Sequence, residues 1–510
     1  VEQPLVISDF LDRAELVFPA RIAIIDEPAQ PAKPFGPELS YAQLAERARG
    51  QAAFLDDLGV DVGARVAIVS HNSSRMLCSY FGVSGSGRVL VPINFRLADE
   101  EVAFIVEHSG SELVLLDPEL EHLAASLGDV TTHVLGEDDD LIFPQGRSPR
   151  PWDGDERATA TINYTSGTTA SPKGVELSHR NLWLNATVFG MHLGVSDRDV
   201  LLHTLPIFHV NGWGMPFIVS AMGGTHVILR KVDGAEILRR IEANGVTLLC
   251  GAPAVLSAVL DAAADWEGPI PGHGTVRVVV AGAPPPTVVI ERIELELGWE
   301  FAQIYGLTET SPVLTVNRSR AEWDWLSPHE RARRLARAGA PVLGTKLTLS
   351  EDHEVLARSN AIMSSYWRNE EATTEAFEGD WFHTGDGGEI DDKGYLAITD
   401  RKKDVIITGG ENVSSIEVED ILLRHPSVKE AAVIGIPHTK WGELVTALIV
   451  SSDPEIDLGE LTAMAREHLA GYKIPRRIEL RDELARTATG KLQKAKLRAP
   501  YWEGLDRGVN

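Results

Sequence analysis

YAQLAERARGQAAFLDDLG (residues 41–59), RVAIVS (65–70), RVLVPIN (88–94) and ELVLLD (112–117) follow one another along the chain. The first has the apolar spacing of an amphipathic helix and the others are short apolar runs, so their alternation predicts doubly wound α/β structure. The pattern returns in TLLCGAPAVLSAVLDAAA (247–264) and TVRVVVAGAPPPTVVIERI (275–293), where a strand-like run passes through a Gly/Pro turn into a helix. Sheets of this kind bind ligands where loops leave the carboxyl ends of their strands. EWDWLSPHERARRLARA (322–338) predicts a helix opening near Pro328, and its arginines predict a surface position. After residue 400 the texture changes. IEVEDILLRHPSVKEAAVIGIP (416–437) and LTAMAREHLAGYKIP (461–475) suit a separate α+β domain, so the chain divides into a large lobe, 1–400, and a small one, 401–510, meeting near DRKKD (400–404).

The bulk numbers agree with this division. At 510 residues the chain is too long for one core. With 44% hydrophobic and 24% charged residues it has an ordinary globular composition, and no run of about 18 apolar residues offers a membrane span. The opening VEQPLVISDFLDRAELVF lacks a basic segment followed by an apolar run and a cleavage site, so a cytoplasmic protein is expected. Two cysteines, Cys78 and Cys250, exclude a disulfide framework and argue against a thiolate metal cluster. A net charge of −26 argues against nucleic-acid binding, which needs basic surfaces. An anionic ligand must therefore meet locally placed donors.

Such donors crowd YTSGTTASPKGVELSHRNL (164–182). The hydroxyls of Thr165, Ser166, Thr168 and Thr169, the backbone exposed by Gly167 and Gly174, and the ammonium of Lys173 form a phosphate-binding set by composition. No Gly-Lys-Ser/Thr triplet occurs, so it is not a Walker loop. Further on stand YGLTETSPV (305–313), WFHTGDGGEIDDKGYLAITDRKKDVIITGGENVSSIEVE (381–419) and RTATGK (486–491). A carboxylate such as Glu309 beside a triphosphate suits magnesium, which takes one or two carboxylates and phosphate oxygens.

These four segments, in this order, resemble the motifs of the adenylate-forming superfamily, which includes acyl-CoA synthetases, luciferases and peptide-synthetase adenylation domains. The likeness extends over roughly residues 20–498 and lies nearest to medium-chain fatty acid–CoA ligases. It implies an α/β fold with a large N-terminal lobe of doubly wound sheets and a distorted barrel, and a small mobile α+β C-terminal domain. It implies ATP, Mg²⁺ and CoA as cofactor and cosubstrates, with Glu309 on the metal and Lys173 and Thr308 among the catalytic groups. Tyr305 would stack on adenine with Gly282, Ala283, Pro284 and Gly306 beside it, and Asp386 and Arg401 would hold the ribose. Lys491 would reach the acid carboxylate and the α-phosphate during adenylation. Rotation about Lys403 would then withdraw it and bring Gly409, Gly410 and Glu411 to line a thiol tunnel, with Trp441, Gly442 and Glu443 toward the nucleotide end of CoA.

PIFHVNGWGMPF (206–217) resembles the acid-pocket segment of such ligases. His209 would stand beside the substrate carboxylate, where an amino-acid-activating domain carries an aspartate, and Phe208, Asn211, Gly212 and Trp213 would line the pocket. Trp213 and Met215 make that wall apolar and suit a medium-chain or other bulky hydrophobic acid. The sequence departs from the family at Ala170, at His353-Glu354 and Arg358-Ser359 within a shortened 344–366 stretch, and at Ala485. Competing readings are an acyl-AMP ligase that loads a separate acyl carrier protein, a luciferase-like oxygenase, and a non-catalytic nucleotide-binding regulator. The sequence leaves the oligomeric state open, a homodimer being one option.

Overall fold

The structure, a computed structural model, describes residues 2–32, 35–165, 172–401, 404–487 and 491–503. Among these, four sheets form the frame. After the helix Tyr41–Asp57, strands Arg65–Val69, Val89–Ile93 and Ser111–Leu116 pair in parallel. Thr131–Val134 and Thr159–Thr165 extend this sheet in parallel, while Lys173–Ser178 and Ser365–Tyr366 finish one edge antiparallel. Alternate residues enter different cores: Val66 and Ile68 one, Ala67 and Val69 another. A strand buried on both faces must read as an unbroken apolar run, which is why this region was legible.

The largest sheet places Glu300–Tyr305, Arg277–Val280, Leu248–Gly251, Val200–His203, Thr225–Ile228 and Ile22–Ile25 side by side in parallel, with antiparallel edges. Leu201 and Leu248 face the core shared with the first sheet; Leu202 and Leu249 face a second core. The third sheet is antiparallel and supplies the distorted element. Thr345–Leu349, Glu354–Ser359 and Trp381–Ile390 pair with Phe377–Glu378 and Leu396–Arg401, and the register slips beside Glu354 and beside Gly387. Its first hairpin is short, turning at residues 350–353, and His353 takes a left-handed φ of 63° that glycine would adopt at less cost.

The C-terminal domain has its own antiparallel-rich sheet, built on the long pair Val428–His438 and Gly442–Ser451, and its own core around Ile406, Val418, Val433 and Leu461. Hydrogen bonds tie it to the large lobe. Thr287 donates through both N–H and hydroxyl to Asp420 at 2.9 Å, and Asp400 accepts from the Ser415 N–H at 2.9 Å.

The helix expected near Pro328 runs Pro328–Leu335, capped by a reciprocal Ser327–Glu330 box. It lies at the surface, as expected, with His329, Glu330 and Arg333 exposed and one face turned inward. Ala332 and Leu335 are buried with Trp323 and Leu326 in the second core, and Arg331 reaches from the rim to Glu294 at 2.6 Å. Arginine stems can cover apolar surface while their heads stay at the edge, so an Arg-rich stretch conceals its packed face. No helix among the described residues is long and apolar enough to cross a membrane.

Candidate active site

Lys491 comes from the C-terminal domain on a hairpin-like pairing, where Thr487 N–H donates to the Lys491 carbonyl at 2.7 Å and Gln493 N–H to that of Ala485 at 2.8 Å. Its side chain crosses to the large lobe and passes Gly282, which has φ 93°; a Cβ there would lie 2.8 Å from Lys491 Cε. Burial, then the charge of Arg401, hold the ammonium down to about 8, while Asp386 and Glu309 pull it upward. One lysine thus faces the residues expected at the ribose and at the metal.

Asp386 and Arg401 oppose each other in register on neighbouring strands, with Arg401 Nε 3.4 Å from the carboxylate. The Tyr305 hydroxyl donates to Asp386 Oδ2 at 2.9 Å, and burial followed by the Asp386 charge keeps that phenol protonated. Asp386 is itself fixed from behind. Glu354, buried, accepts from the Gly385 N–H at 2.8 Å and meets His383 Nδ1 at 3.1 Å. Gly306 is obligatory, since a Cβ would lie 1.5 Å from the Pro312 carbonyl. Ala283 and Pro284 continue the Gly282 loop after strand Arg277–Val280.

Thr165 and Lys173 pair across the two strands that flank the phosphate loop. Ser166, Gly167, Thr168, Thr169 and Ala170 lie outside the described residues, as does Lys403. Lys173 Nζ sits 5.1 Å over the ring of Tyr366, whose hydroxyl donates to Glu309 Oε1 at 2.8 Å. Thr308 and Glu309 share one short turn, Thr308–Thr310. Among the described residues no cluster of three or more His, Cys, Asp or Glu could cage a metal. A single carboxylate with one oxygen held and a hydroxyl beside it matches the sparse protein ligation that magnesium accepts.

The acid-pocket segment is the unusual one. Val210, Asn211, Gly212, Trp213 and Gly214 all have positive φ, a left-handed turn directly after His209. For L-residues this costs about 1–2 kcal/mol each, most for β-branched Val210. Buried amides hold it. Asn211, fully buried, donates to Thr161 Oγ1 at 3.0 Å and accepts from Asn163 Nδ2 at 3.1 Å, on the strand that leads to the phosphate loop. Asn185 donates to the Trp213 carbonyl at 3.2 Å and accepts from Val313 N–H at 3.1 Å. Asn72 donates to the carbonyls of His203 and Leu205 and accepts from Ile207 N–H. The Asn211 side chain is therefore spent on this framework, whereas Phe208 and Trp213 join the apolar core and Gly212 abuts Pro216. Burial, then the Lys491 charge, lower His209 to about 3, so its imidazole is neutral at working pH.

Gly409 and Gly410 form the exposed tip of a tight hairpin, φ 61° and 88°, with Glu411 opposite Thr408. A Cβ on Gly409 would meet the Trp441 ring at 2.9 Å, and that ring lies against Lys440 and Arg476 at 4.8 and 4.9 Å. Glu443 turns inward instead and accepts from Ile407 N–H at 3.0 Å. Sequence reasoning did not single out Tyr366, Glu354 as a support, or the asparagine framework. Only the His353-Glu354 pair carried a local signal.

A large α/β lobe followed by a small C-terminal domain is the architecture of the adenylate-forming enzymes. The chain belongs to the AMP-binding enzyme family, whose model matches residues 11–367, followed by the AMP-binding enzyme C-terminal domain at 417–491. It is 34% identical to the peroxisomal trans-cinnamate:CoA ligase of Petunia hybrida, over 97% of this chain and 94% of that one. It is 35% identical to the peroxisomal acetate/butyrate–CoA ligase of Arabidopsis thaliana, over 96% and 93%. The o-succinylbenzoate CoA synthetase of Bacillus subtilis, solved with its acyl-adenylate intermediate, superposes with a TM-score of 0.83 at 30% identity, covering 98% of this chain and 99% of that one. The same enzyme is known with ATP and magnesium ion, at a TM-score of 0.82.

Proposed function

We propose that the chain is an AMP-forming acid–CoA ligase for a medium-chain fatty acid or another bulky hydrophobic carboxylic acid. The observation that carries the reading is Lys491, which the C-terminal domain lays past Gly282 toward Asp386, Glu309 and His209. Relatives named for cinnamate, and for acetate and butyrate, support a CoA ligase for uncharged tails. The buried Phe208, Trp213 and Met215 favour an apolar one.

In the first step the substrate carboxylate, ionised at neutral pH with a pKa near ~4.3, attacks the α-phosphorus of ATP. An O–P bond forms, the bond to the bridging oxygen breaks, and pyrophosphate leaves with the electron pair. No general base is needed, so the protein contributes position and charge. Lys491 draws two anions together, Lys173 and the phosphate loop hold the outer phosphates, and Asp386 with Arg401 fixes the ribose. Tyr305, Gly282, Ala283, Pro284 and Gly306 frame the base. Neutral His209 orients the acid by a hydrogen bond. Glu309, with Thr308 beside it, would hold a magnesium ion, which supplies charge neutralisation on the triphosphate.

For the second step the C-terminal domain, residues 401–510, turns about Lys403. That withdraws Lys491 and brings Gly409, Gly410 and Glu411 to the adenylate, with Trp441 toward the CoA nucleotide. The thiol sulfur then attacks the acyl carbon: a C–S bond forms, the acyl C–O bond to the phosphate breaks, AMP leaves with the electron pair, and the thiol proton passes to solvent. A panel of acids assayed for pyrophosphate release and for thioester formation with CoA tests the reading. Octanoate and cinnamate should give the highest kcat/KM; preference for an amino acid, or adenylate that CoA never discharges, would defeat it.

A further inference from the structure

The edge strand that ends in Tyr366 touches both halves of the triphosphate site. Met363 N–H donates to the Glu309 carbonyl at 2.7 Å, Ser364 N–H to that of Glu176 at 3.0 Å, and Trp367 N–H to that of Gly174 at 2.7 Å. A five-residue segment is thereby stitched to the turn that carries Glu309 and to the strand that begins at Lys173. Tyr366 lies where these stitches meet. Its hydroxyl holds Glu309 Oε1 at 2.8 Å and its ring faces Lys173 Nζ at 5.1 Å. The Thr373 hydroxyl accepts no part in this; it receives the Tyr366 N–H at 3.0 Å and fixes the backbone below the ring.

From this geometry we infer that Tyr366 is a positioning residue that sets Lys173 and Glu309 at a fixed spacing and leaves Glu309 a single oxygen for the metal. The inference rests on the proposed roles of Glu309 and Lys173. Without the tyrosine, a lysine and a carboxylate that serve one triphosphate would be drawn to each other and would neutralise the groups meant for substrate. A phenol solves this by offering each what it prefers, a proton to the carboxylate and an electron-rich face to the ammonium. Phenylalanine would keep the face and lose the proton; leucine would lose both.

The test is calorimetric binding of the α,β-methylene analogue of ATP across a magnesium titration, with manganese binding followed by electron paramagnetic resonance. Tyr366→Phe should need roughly tenfold more magnesium for half-maximal tightening, the size expected for a lost hydrogen bond to a charged group, while its metal-free nucleotide affinity stays native. Tyr366→Leu should weaken metal-free nucleotide binding as well. Glu309→Gln should abolish the metal dependence, and adding Tyr366→Phe to it should change nothing further. If Glu309→Gln shifts the magnesium curve and Tyr366→Phe does not, the inference about Tyr366 is overturned and the reading of the site survives. If Glu309→Gln itself leaves the curve native, the reading of Glu309 is what fails. A denaturant midpoint for each variant separates these outcomes from loss of fold; a folded Tyr366→Phe with native metal response counts against the inference.

Discussion

Asp386 and Arg401 face each other because two antiparallel strands pair in register, whereas His209 and Trp213 hang on a turn wound against the hand that L-amino acids prefer. At the proposed nucleotide end, side chains stand on paired strands, so position follows from backbone pairing. At the proposed acid end the backbone of residues 210–214 is under strain, and buried amides from Asn185 and Asn211 keep it there. The contrast suggests that the first end tolerates substitution without loss of fold, while the second couples specificity to stability. Strain of this kind persists only where the surroundings over-determine it.

The largest expected effect lies at the nucleotide end. Lys491→Ala should slow acid-dependent pyrophosphate release roughly 100- to 1,000-fold, as for a lost transition-state donor, yet leave thioester formation from presynthesised adenylate near native. Equal loss in both half-reactions would erase the division of labour between the lobes. Asp386→Ala should weaken ATP binding about tenfold or more, as for a lost charged hydrogen bond, with the unfolding midpoint little changed. A collapse in stability there would break the contrast.

Asn211→Ala addresses the other end. Removing its bonds to Asn163 and Thr161 should cost about 2 kcal/mol in denaturant unfolding, and KM for the acid should rise more than KM for ATP. An unchanged midpoint would show that the left-handed turn needs no such support. The smallest effect is in pH. Lys491 is held down to about 8 and in its proposed role acts charged, so kcat/KM for adenylation should fall as pH rises through that value. His209, lowered to about 3, should add no limb between pH 5 and 7. A limb near neutrality that Lys491→Ala preserves and a His209 variant removes would show a charged imidazole.

How much could be read beforehand follows the same line. Strands such as Arg65–Val69 announced themselves, because burial on both faces leaves only apolar residues. The four ordered motifs carried the family, and the structure joins Tyr305 and Arg401 to Asp386 and brings Lys491 over from the other lobe past Gly282. What stayed hidden depends on contacts distant in sequence. Nothing local tells that Asn211 points into a framework with Thr161, 50 residues earlier, or that Glu354 holds Gly385, 31 residues on. The helix at Pro328 was legible in its start and its surface position but not in its packed face, since arginine serves equally at a rim and in solvent.

Gly282 sets the width of the passage between the lobes. With its left-handed backbone and missing side chain it leaves a slot one methylene wide for the incoming lysine. A methyl group there would remove no charge and no hydrogen bond. It would nonetheless act as a doorstop: in the proposed reaction ATP and acid would stay in place while Lys491 halts short of them.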